Sequence, residues 1–121
     1  MQTNHSPRTG PLAGLKVIEL TNVMAGPVAG LMLADMGADV IKVERLPGGD
    51  DTRRATPPEI NGESCAFMIV NRNKRGIAVN LKKAEGVDVV RRLIAQADVV
   101  LENFRPGTME KLGLDYASLK A

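Results

Sequence analysis

Aromatic residues are scarce in this sequence. Its 121 residues include two Phe, one Tyr and no Trp, so a core must be built from Val, Leu, Ile, Ala and Met. The single cysteine excludes an internal disulfide and favours a reducing compartment, so we expect a cytoplasmic protein. No apolar run approaches the roughly 20 residues that a membrane span needs. A net charge of +2 gives no electrostatic argument for nucleic acid, so we expect neither a membrane nor nucleic acid as a partner.

The sequence does contain strands that alternate with helices. Apolar stretches predict four strands, at 17–20, 39–44, 77–81 and 98–102. Apolar residues at three- and four-residue spacing predict helices over 27–36 and 83–97. The alternation is typical of an α/β fold with a Rossmann-like, open, mostly parallel sheet and helices on both faces. We expect a disordered tail over 1–11 and an incomplete sheet in 12–121, because four short strands leave an edge uncovered.

The first predicted strand runs directly into a glycine turn and a helix start. The N–H groups and the dipole of a helix start favour negative charge, so the turn from Thr21 to Gly26 predicts a phosphate site. A dinucleotide-binding fingerprint requires G-x-G-x-x-G at this place. The segment Gly26-Pro27-Val28-Ala29-Gly30 lacks the first close pair of glycines, which disfavours an NAD(P) domain.

Polar residues also follow the second and fourth strands. Arg45 follows the second, and Asn103-Phe104-Arg105 follows the fourth, at the carboxyl edge where open α/β sheets bind ligands. Phe104 and Arg105 offer a surface on which an adenine could stack. The run Asn71 to Arg75 is either a solvated basic loop or a collar around an anion, and both interpretations stay open.

Other polar residues give weaker signals. The sequence predicts a long loop over 45–63, in which Asp50 and Asp51 are interpreted as solvated surface residues. Cys65 lies in an apolar stretch and is interpreted as a buried structural thiol. His5 has no neighbouring Cys or His, so we expect no metal.

Taken together, the motifs resemble class III CoA-transferases of the CaiB/BaiF type. This group includes formyl-CoA transferase and carnitine CoA-transferase, with α-methylacyl-CoA racemase as a relative. The similar segments are Leu12-x-Gly14-Leu15-x-Val17-Ile18-Glu19-Leu20, Ala25-Gly26-Pro27, 33–44, Gly49-Asp50, Asn73-Lys74-Arg75, Asn80-Leu81-Lys82, Glu85-Gly86, 98–107 and Leu112-Gly113.

The resemblance implies coenzyme A or an acyl-CoA as the substrate. The positions that match the family's CoA contacts are Val23, Met24, Ala25, Arg45, Val79, Asn80, Leu81, Lys82, Asn103, Phe104, Arg105 and Lys111. Arg45, Arg105 and Lys111 would serve the phosphates and the adenine, and residues 23–25 would lie near the thioester. Formyl-CoA transferases have Gln at the position of Met24, so the methionine disfavours formate–oxalate exchange and favours a bulkier or more apolar acyl group.

The resemblance also implies a mechanism, in which an aspartate carboxylate attacks the thioester and a mixed anhydride forms as CoA moves between acids. We expect that aspartate beyond Ala121 and assign no catalytic residue here. Residues 12–121 would be the N-terminal CoA-binding part of the large domain of a longer enzyme, inactive alone. That enzyme would be an interlocked homodimer acting on an acyl-CoA and a carboxylic acid. The alternatives are a racemase-type isomerase of the same fold and a non-catalytic CoA- or nucleotide-binding module.

Overall fold

The computed structural model describes residues 7–120. In chain order the elements are β1 (Lys16–Leu20), α1 (Ala25–Asp35), β2 (Asp39–Arg45), a 3-10 helix (Asp51–Arg54), β3 (Glu59–Ile60), β4 (Glu63–Ser64), α2 (Cys65–Asn71), β5 (Arg75–Val79), α3 (Ala84–Ile94), β6 (Val99–Glu102), α4 (Thr108–Leu112) and α5 (Tyr116–Lys120).

The main sheet has four parallel strands in the order β5-β2-β1-β6. The register places Ile18 of β1 beside Ile41 on one side and Val100 on the other. Because all four strands run in the same direction, their carboxyl ends meet at one edge of the sheet. This confirms the predicted α/β class and brings the polar segments that follow the strands to a common edge.

Each face of the sheet carries its own core. Val17 and Glu19 lie on the face covered by α1, where Ala34 packs into the cluster around Val17. Ile18 lies on the opposite face in a cluster with Val90 of α3. Successive residues of β1 point to opposite faces of the sheet and are buried on both, as is typical of a strand in a parallel sheet. The prediction of helices on both faces is confirmed.

The segment between β2 and α2 is more structured than the sequence interpretation allowed. Residues 45–63 were expected to form one long loop, and they contain the 3-10 helix and the β3–β4 hairpin. Asn61 and Gly62 join these two strands, and both have a positive φ, 52° and 80°. An Asn-Gly pair is a strong signal for a two-residue hairpin turn. That signal was present in the sequence.

Two helix starts, those of α1 and α4, differ from what their residue types favour. α1 begins at Ala25, so Pro27 is its third residue rather than its first. The missing N–H of Pro27 still removes no helical hydrogen bond, because the first N–H groups of a helix have no intrahelical partner. α4 begins at Thr108 after Gly107, whose φ is 84°, and no side chain caps it within the described residues. Thr108 is therefore not the cap that its residue type favours.

The expected tail is described only from Pro7 onward, and residues 1–6, including His5, lie outside the described residues. Arg8 donates hydrogen bonds to the carbonyl oxygens of Ala38 at 3.0 Å and Asn73 at 3.2 Å. Residues 7–120 hold no group of three or more metal-ligating side chains. The longest helices in the same range, α1 and α3, have 11 residues, too few to cross a bilayer.

Candidate functional site

The carboxyl edge of the sheet carries a small cleft of about 50 Å³. It is lined by residues that follow or end β1, β2, β5 and β6, namely Thr21, Asn22, Val43, Glu44, Arg45, Gly49, Asp50, Leu81 and Phe104. Three of the lining residues, Arg45, Leu81 and Phe104, belong to the predicted ligand-binding set. The fold therefore brings together residues that are up to 83 positions apart in the chain, from Thr21 to Phe104, because parallel strands end at the same edge.

The turn between β1 and α1 has an unusual backbone. Val23 has a φ of 69°, in the left-handed region that β-branched residues rarely occupy. The carboxylate Oδ1 of Asp50 accepts the N–H of Val23 at 3.1 Å. The side-chain amide of Asn103 accepts the N–H of Asn22 and donates to its carbonyl oxygen, both at 2.9 Å. Side chains from two other loops thus hold Val23 and Met24 at the surface, where Met24 is 60% exposed.

The start of α1 is open to a ligand. Within residues 7–120 no side chain caps this helix, whose N-cap residue is Met24, and its first turn has no acidic residue. The positive end of the helix dipole and the first N–H groups therefore remain available to an anionic or carbonyl oxygen. Gly26 makes the compact start possible, since a Cβ at this position would lie 2.4 Å from Cβ of Thr21.

Beneath this turn lies a buried network of four charges. The Lys42 ammonium lies 3.1 Å from Glu19 Oε1 and 2.9 Å from Asp50 Oδ2, and it donates to the carbonyl oxygen of Thr21 at 3.0 Å. The Lys74 ammonium lies 2.8 Å from Glu19 Oε2 and donates to the carbonyl oxygen of Pro27 at 2.7 Å. The four charged side chains are at most 2% exposed. Two acids and two bases balance, as buried ions must.

The surroundings of the network shift two of its pKa values. Burial acts to raise the pKa of Asp50, but the N–H of Thr52 and the Lys42 ammonium together hold that pKa below its ordinary value. Burial lowers the pKa of Lys74, and the neighbouring Glu19 carboxylate opposes that effect. The network thus keeps Asp50 ionised beneath the turn at Val23.

The interpretation of Asp50 as a solvated surface residue was wrong, since Asp50 is 2% exposed. It is buried because Lys42, inside a central strand, needs counter-ions in a region that water does not reach. The sequence contained a signal for the Glu19–Lys42 pair, although not for Asp50. Glu19 and Lys42 interrupt two apolar strands, and the register places them directly opposite each other. A charge in the middle of each of two buried strands indicates a buried ion pair.

Arg45 lies at the mouth of the cleft and is about half exposed. Its guanidinium pairs with Asp51, which also pairs with Arg54 and accepts the side-chain amide of Asn22 at 2.7 Å. The Asn22 hydrogen bond, followed by the two guanidinium groups, lowers the pKa of Asp51. Two arginines share one carboxylate, so this group retains a net positive charge that suits a phosphate.

A second arginine pair anchors the loop behind the cleft. Arg53 donates two hydrogen bonds to the Glu44 carboxylate, each at 2.7 Å, and its guanidinium lies 3.7 Å from the ring centroid of Phe67. The N–H of Asp50 also donates to Glu44, at 2.9 Å. The Arg53 hydrogen bonds lower the pKa of Glu44 despite its partial burial. Glu44 is therefore committed to holding the loop that contains Asp50.

The other predicted residues are distributed between the core, a wider groove and the exposed surface. Val79 is buried in the core as the last residue of β5, and Lys82 is exposed just beyond it. Arg105 lines a wider groove of about 790 Å³ beside β6, and Phe104 contributes to both the groove and the cleft. Lys111 is an exposed residue of α4.

The basic run from Asn71 to Arg75 lies at the amino end of β5, opposite the cleft. Arg72 pairs with Asp35 at 2.7 Å, Arg75 pairs with Asp39 at 2.6 Å, and Lys74 is buried. The anion collar left open by the sequence is therefore not formed.

Comparisons with known proteins show the family and the fold of this chain. Residues 12–121 match the model of the family described as CoA-transferase family III. The succinate–glutarate CoA-transferase of Agrobacterium fabrum is 52% identical over 98% of this chain and 31% of its own length. The succinyl-CoA:glutarate CoA-transferase of Mus musculus is 50% identical over 90% of this chain and 25% of its own. A crystal structure of a CaiB/BaiF family protein from Brucella suis matches with a TM-score of 0.86 and 52% identity, over 92% of this chain and 30% of that one. The chain thus spans between a quarter and a third of these proteins.

Proposed function

The chain belongs to CoA-transferase family III, and on that premise we propose that it forms the N-terminal, CoA-binding part of an enzyme that moves CoA between carboxylic acids. The observation that carries the proposal is the convergence of three features at one sheet edge. These are the uncapped start of α1, the arginine at the end of β2 and the aromatic residue after β6. This combination suits a long ligand with a phosphate end, an adenine and a polar reactive end.

We assign the two ends of the ligand to different parts of the edge. Arg45, Arg105 and Lys111 supply positive charge for the phosphates, and Phe104 supplies a ring face for the adenine. The first N–H groups of α1 face the thioester, whose carbonyl oxygen they would orient by hydrogen bonding and by the helix dipole. In this proposal the described residues bind and orient the substrate. The nucleophilic aspartate of the family is not one of them.

For the acyl group we propose dicarboxylic acids of four or five carbons. The names of the Agrobacterium and mouse relatives, which act on succinate or succinyl-CoA and on glutarate, support this assignment. Met24 also supports it, because its exposed, apolar and flexible side chain at the start of α1 suits the methylene segment of such an acid. We also propose that the enzyme is a homodimer and that it is cytoplasmic. Size-exclusion chromatography with light scattering tests the homodimer.

Calorimetric titration of the protein with CoA tests the binding assignment. We expect a dissociation constant in the micromolar range and no heat with NAD⁺. Arg105→Ala should weaken CoA binding by about tenfold, since a charge-assisted hydrogen bond contributes about 1.5 kcal/mol. Arg92→Ala is the matched control, because Arg92 is an exposed residue of α3 whose one ion pair within residues 7–120 is with Asp88, one turn away. A folded protein that does not bind CoA would contradict the assignment. So would an Arg92→Ala variant that loses as much affinity for CoA as Arg105→Ala.

The transfer reaction is tested with succinyl-CoA and glutarate, by following glutaryl-CoA on a reversed-phase column. We expect the longer enzyme to form glutaryl-CoA at the rate at which succinyl-CoA disappears, with oxalate a poor acceptor. Epimerisation of a 2-methylacyl-CoA without exchange of the acyl group would instead favour the racemase-type alternative. The 121-residue chain alone is expected to bind CoA without turnover.

A further inference from the structure

Asp50 connects the buried network to the turn at the start of α1. Its Oδ2 faces the Lys42 ammonium at 2.9 Å. Its Oδ1 accepts the N–H of Thr52 at 2.9 Å, the hydroxyl of Thr52 at 2.8 Å and the N–H of Val23 at 3.1 Å. One oxygen therefore neutralises a buried cation, and the other fixes two segments of backbone.

The Val23 contact has a specific conformational consequence. A valine at a φ of 69° is unfavourable on its own, so the surrounding structure must hold it there. The Asp50 hydrogen bond acts directly on the N–H of that residue. Two further contacts, from Lys42 to the carbonyl oxygen of Thr21 and from Asn103 to Asn22, fix the preceding residues. The direction in which Met24 and the first N–H groups of α1 point thus depends on these contacts. The hydrogen bond from Val23 to Asp50 is called the brace below.

We infer that Asp50 is a positioning residue that aims the turn at residues 23–25 towards the acyl thioester. The inference rests on the proposed function, because it assumes that the acyl end of a CoA thioester meets this turn. The nucleotide end is assigned to Arg45, Arg105 and Lys111 for the phosphates and to Phe104 for the adenine. Within residues 7–120 the contacts of the Asp50 carboxylate are with Val23, Thr52 and Lys42, and not with these residues. Losing the brace should therefore weaken the binding of the acyl end and leave the binding of the nucleotide end unchanged.

Two matched double variants separate this role from simple charge balance. Asp50→Asn/Lys42→Met and Asp50→Ala/Lys42→Met both remove the buried Asp50–Lys42 pair and both keep the Glu19–Lys74 pair at 2.8 Å. Only asparagine retains a side-chain oxygen that can accept the N–H of Val23. Asp98→Asn is a further control, since Asp98 also accepts a backbone N–H, that of Lys16 at 2.8 Å, but at the opposite edge of the sheet.

The variants are titrated with two ligands, adenosine 3′,5′-bisphosphate and glutaryl-CoA. We expect both double variants and the Asp98 control to bind the bisphosphate within twofold of one another. We expect the alanine double variant to bind glutaryl-CoA about tenfold more weakly than the asparagine one, because the N–H of Val23 then has lost its hydrogen bond to residue 50. Equal affinity of the two double variants for glutaryl-CoA would overturn the inference. An equal loss for both ligands would also overturn it, because Asp50 would then support the whole site.

Hydrogen exchange at single amides gives a test that does not depend on any variant. In the unmodified protein the amide of Val23 should exchange at least tenfold more slowly than the amide of Ala25, which starts α1. Equal exchange at the two amides would overturn the brace. If the unmodified protein bound neither ligand while the Val23 amide was protected, the proposed function would be wrong, and so would the role of Asp50 at the thioester. The hydrogen bond from Val23 to Asp50 would still be supported.

Discussion

Gly30 allows α1 to lie directly on the buried charge network, and its replacement by alanine tests that packing. Gly30 is in the interior of α1, where alanine is intrinsically the better residue by about 1 kcal/mol. On helix propensity alone, Gly30→Ala would therefore stabilise the protein. The structure predicts the opposite, because a Cβ at this position would lie 1.9 Å from Oε2 of Glu19 and 3.2 Å from Nζ of Lys74.

The size of the effect follows from what must move. An ordinary contact is 3.4 Å or more, so the Glu19 carboxylate or the helix must shift by about 1.5 Å. The carboxylate cannot move that far without losing Lys74, 2.8 Å away, or Lys42, 3.1 Å away. Disrupting a buried ion pair costs about 3 kcal/mol, and the gain in helix propensity offsets about 1 kcal/mol of this. We expect Gly30→Ala to lower the free energy of unfolding by about 2 kcal/mol.

Urea and thermal unfolding, followed by circular dichroism, measure this loss. At about 4 °C per kcal/mol for a domain of this size, the midpoint should fall by about 8 °C. Gly76→Ala is the matched control, since a Cβ at Gly76 meets no atom within 4 Å. We expect the control to be neutral or slightly stabilising, because replacing glycine in a strand reduces the entropy of the unfolded chain. A Gly30→Ala protein as stable as the original would refute the close approach of α1 to Glu19.

Three further predictions concern the charges around the cleft. Asp50 and Glu44 have pKa values in the folded protein below the ordinary 3.8 and 4.5, so their contribution to folding stability is complete above those values and is lost as the pH falls through the lower, folded ones. The thermal midpoint should therefore be flat from pH 7 to about 5 and fall steeply below about pH 4. Glu44→Gln should make that fall less steep. Arg53→Ala should remove about 1–2 kcal/mol of stability, because it removes the bidentate pair with Glu44 and the stack on Phe67. Limited proteolysis should then cut the chain between residues 54 and 64. An unchanged digestion pattern would mean that the Arg53–Glu44 pair does not anchor the loop. Arg92→Ala should change the unfolding free energy by less than about 0.5 kcal/mol, because its salt bridge is exposed, and a larger loss would argue against the exposed geometry of α3.

Much of the fold could be predicted from local patterns. The strand at 17–20, the helix ending near Met36 and the strand around Val40–Val43 follow from apolar spacing and from turn residues, all of which are local properties. The boundaries were less predictable. β5 begins at Arg75 rather than at Ile77, because pairing with β2 extends the strand into residues whose own composition is typical of a loop.

The candidate site likewise contains residues that could be placed from the sequence and one that could not. Arg45 and Phe104 could be assigned to the carboxyl edge of the sheet from the sequence, because each directly follows a predicted strand and parallel strands end together. Asp50 could not be placed from the sequence. Its neighbours Gly49 and Asp51 give it the composition of a solvated turn, and only the position of Lys42 explains its burial.

The sequence by itself determined the alternation of strands and helices, the order in which they occur and the polar residues at their ends, because each of these depends on neighbours within a few positions. Only the tertiary structure decided that Glu19, Lys42, Asp50 and Lys74 form one buried network beneath the turn at Val23. The physical reason is that a buried charge is tolerated only beside its counter-charge. These counter-charges come from four separate segments, which the packing of α1 and the loop after β2 onto the sheet brings within hydrogen-bonding distance.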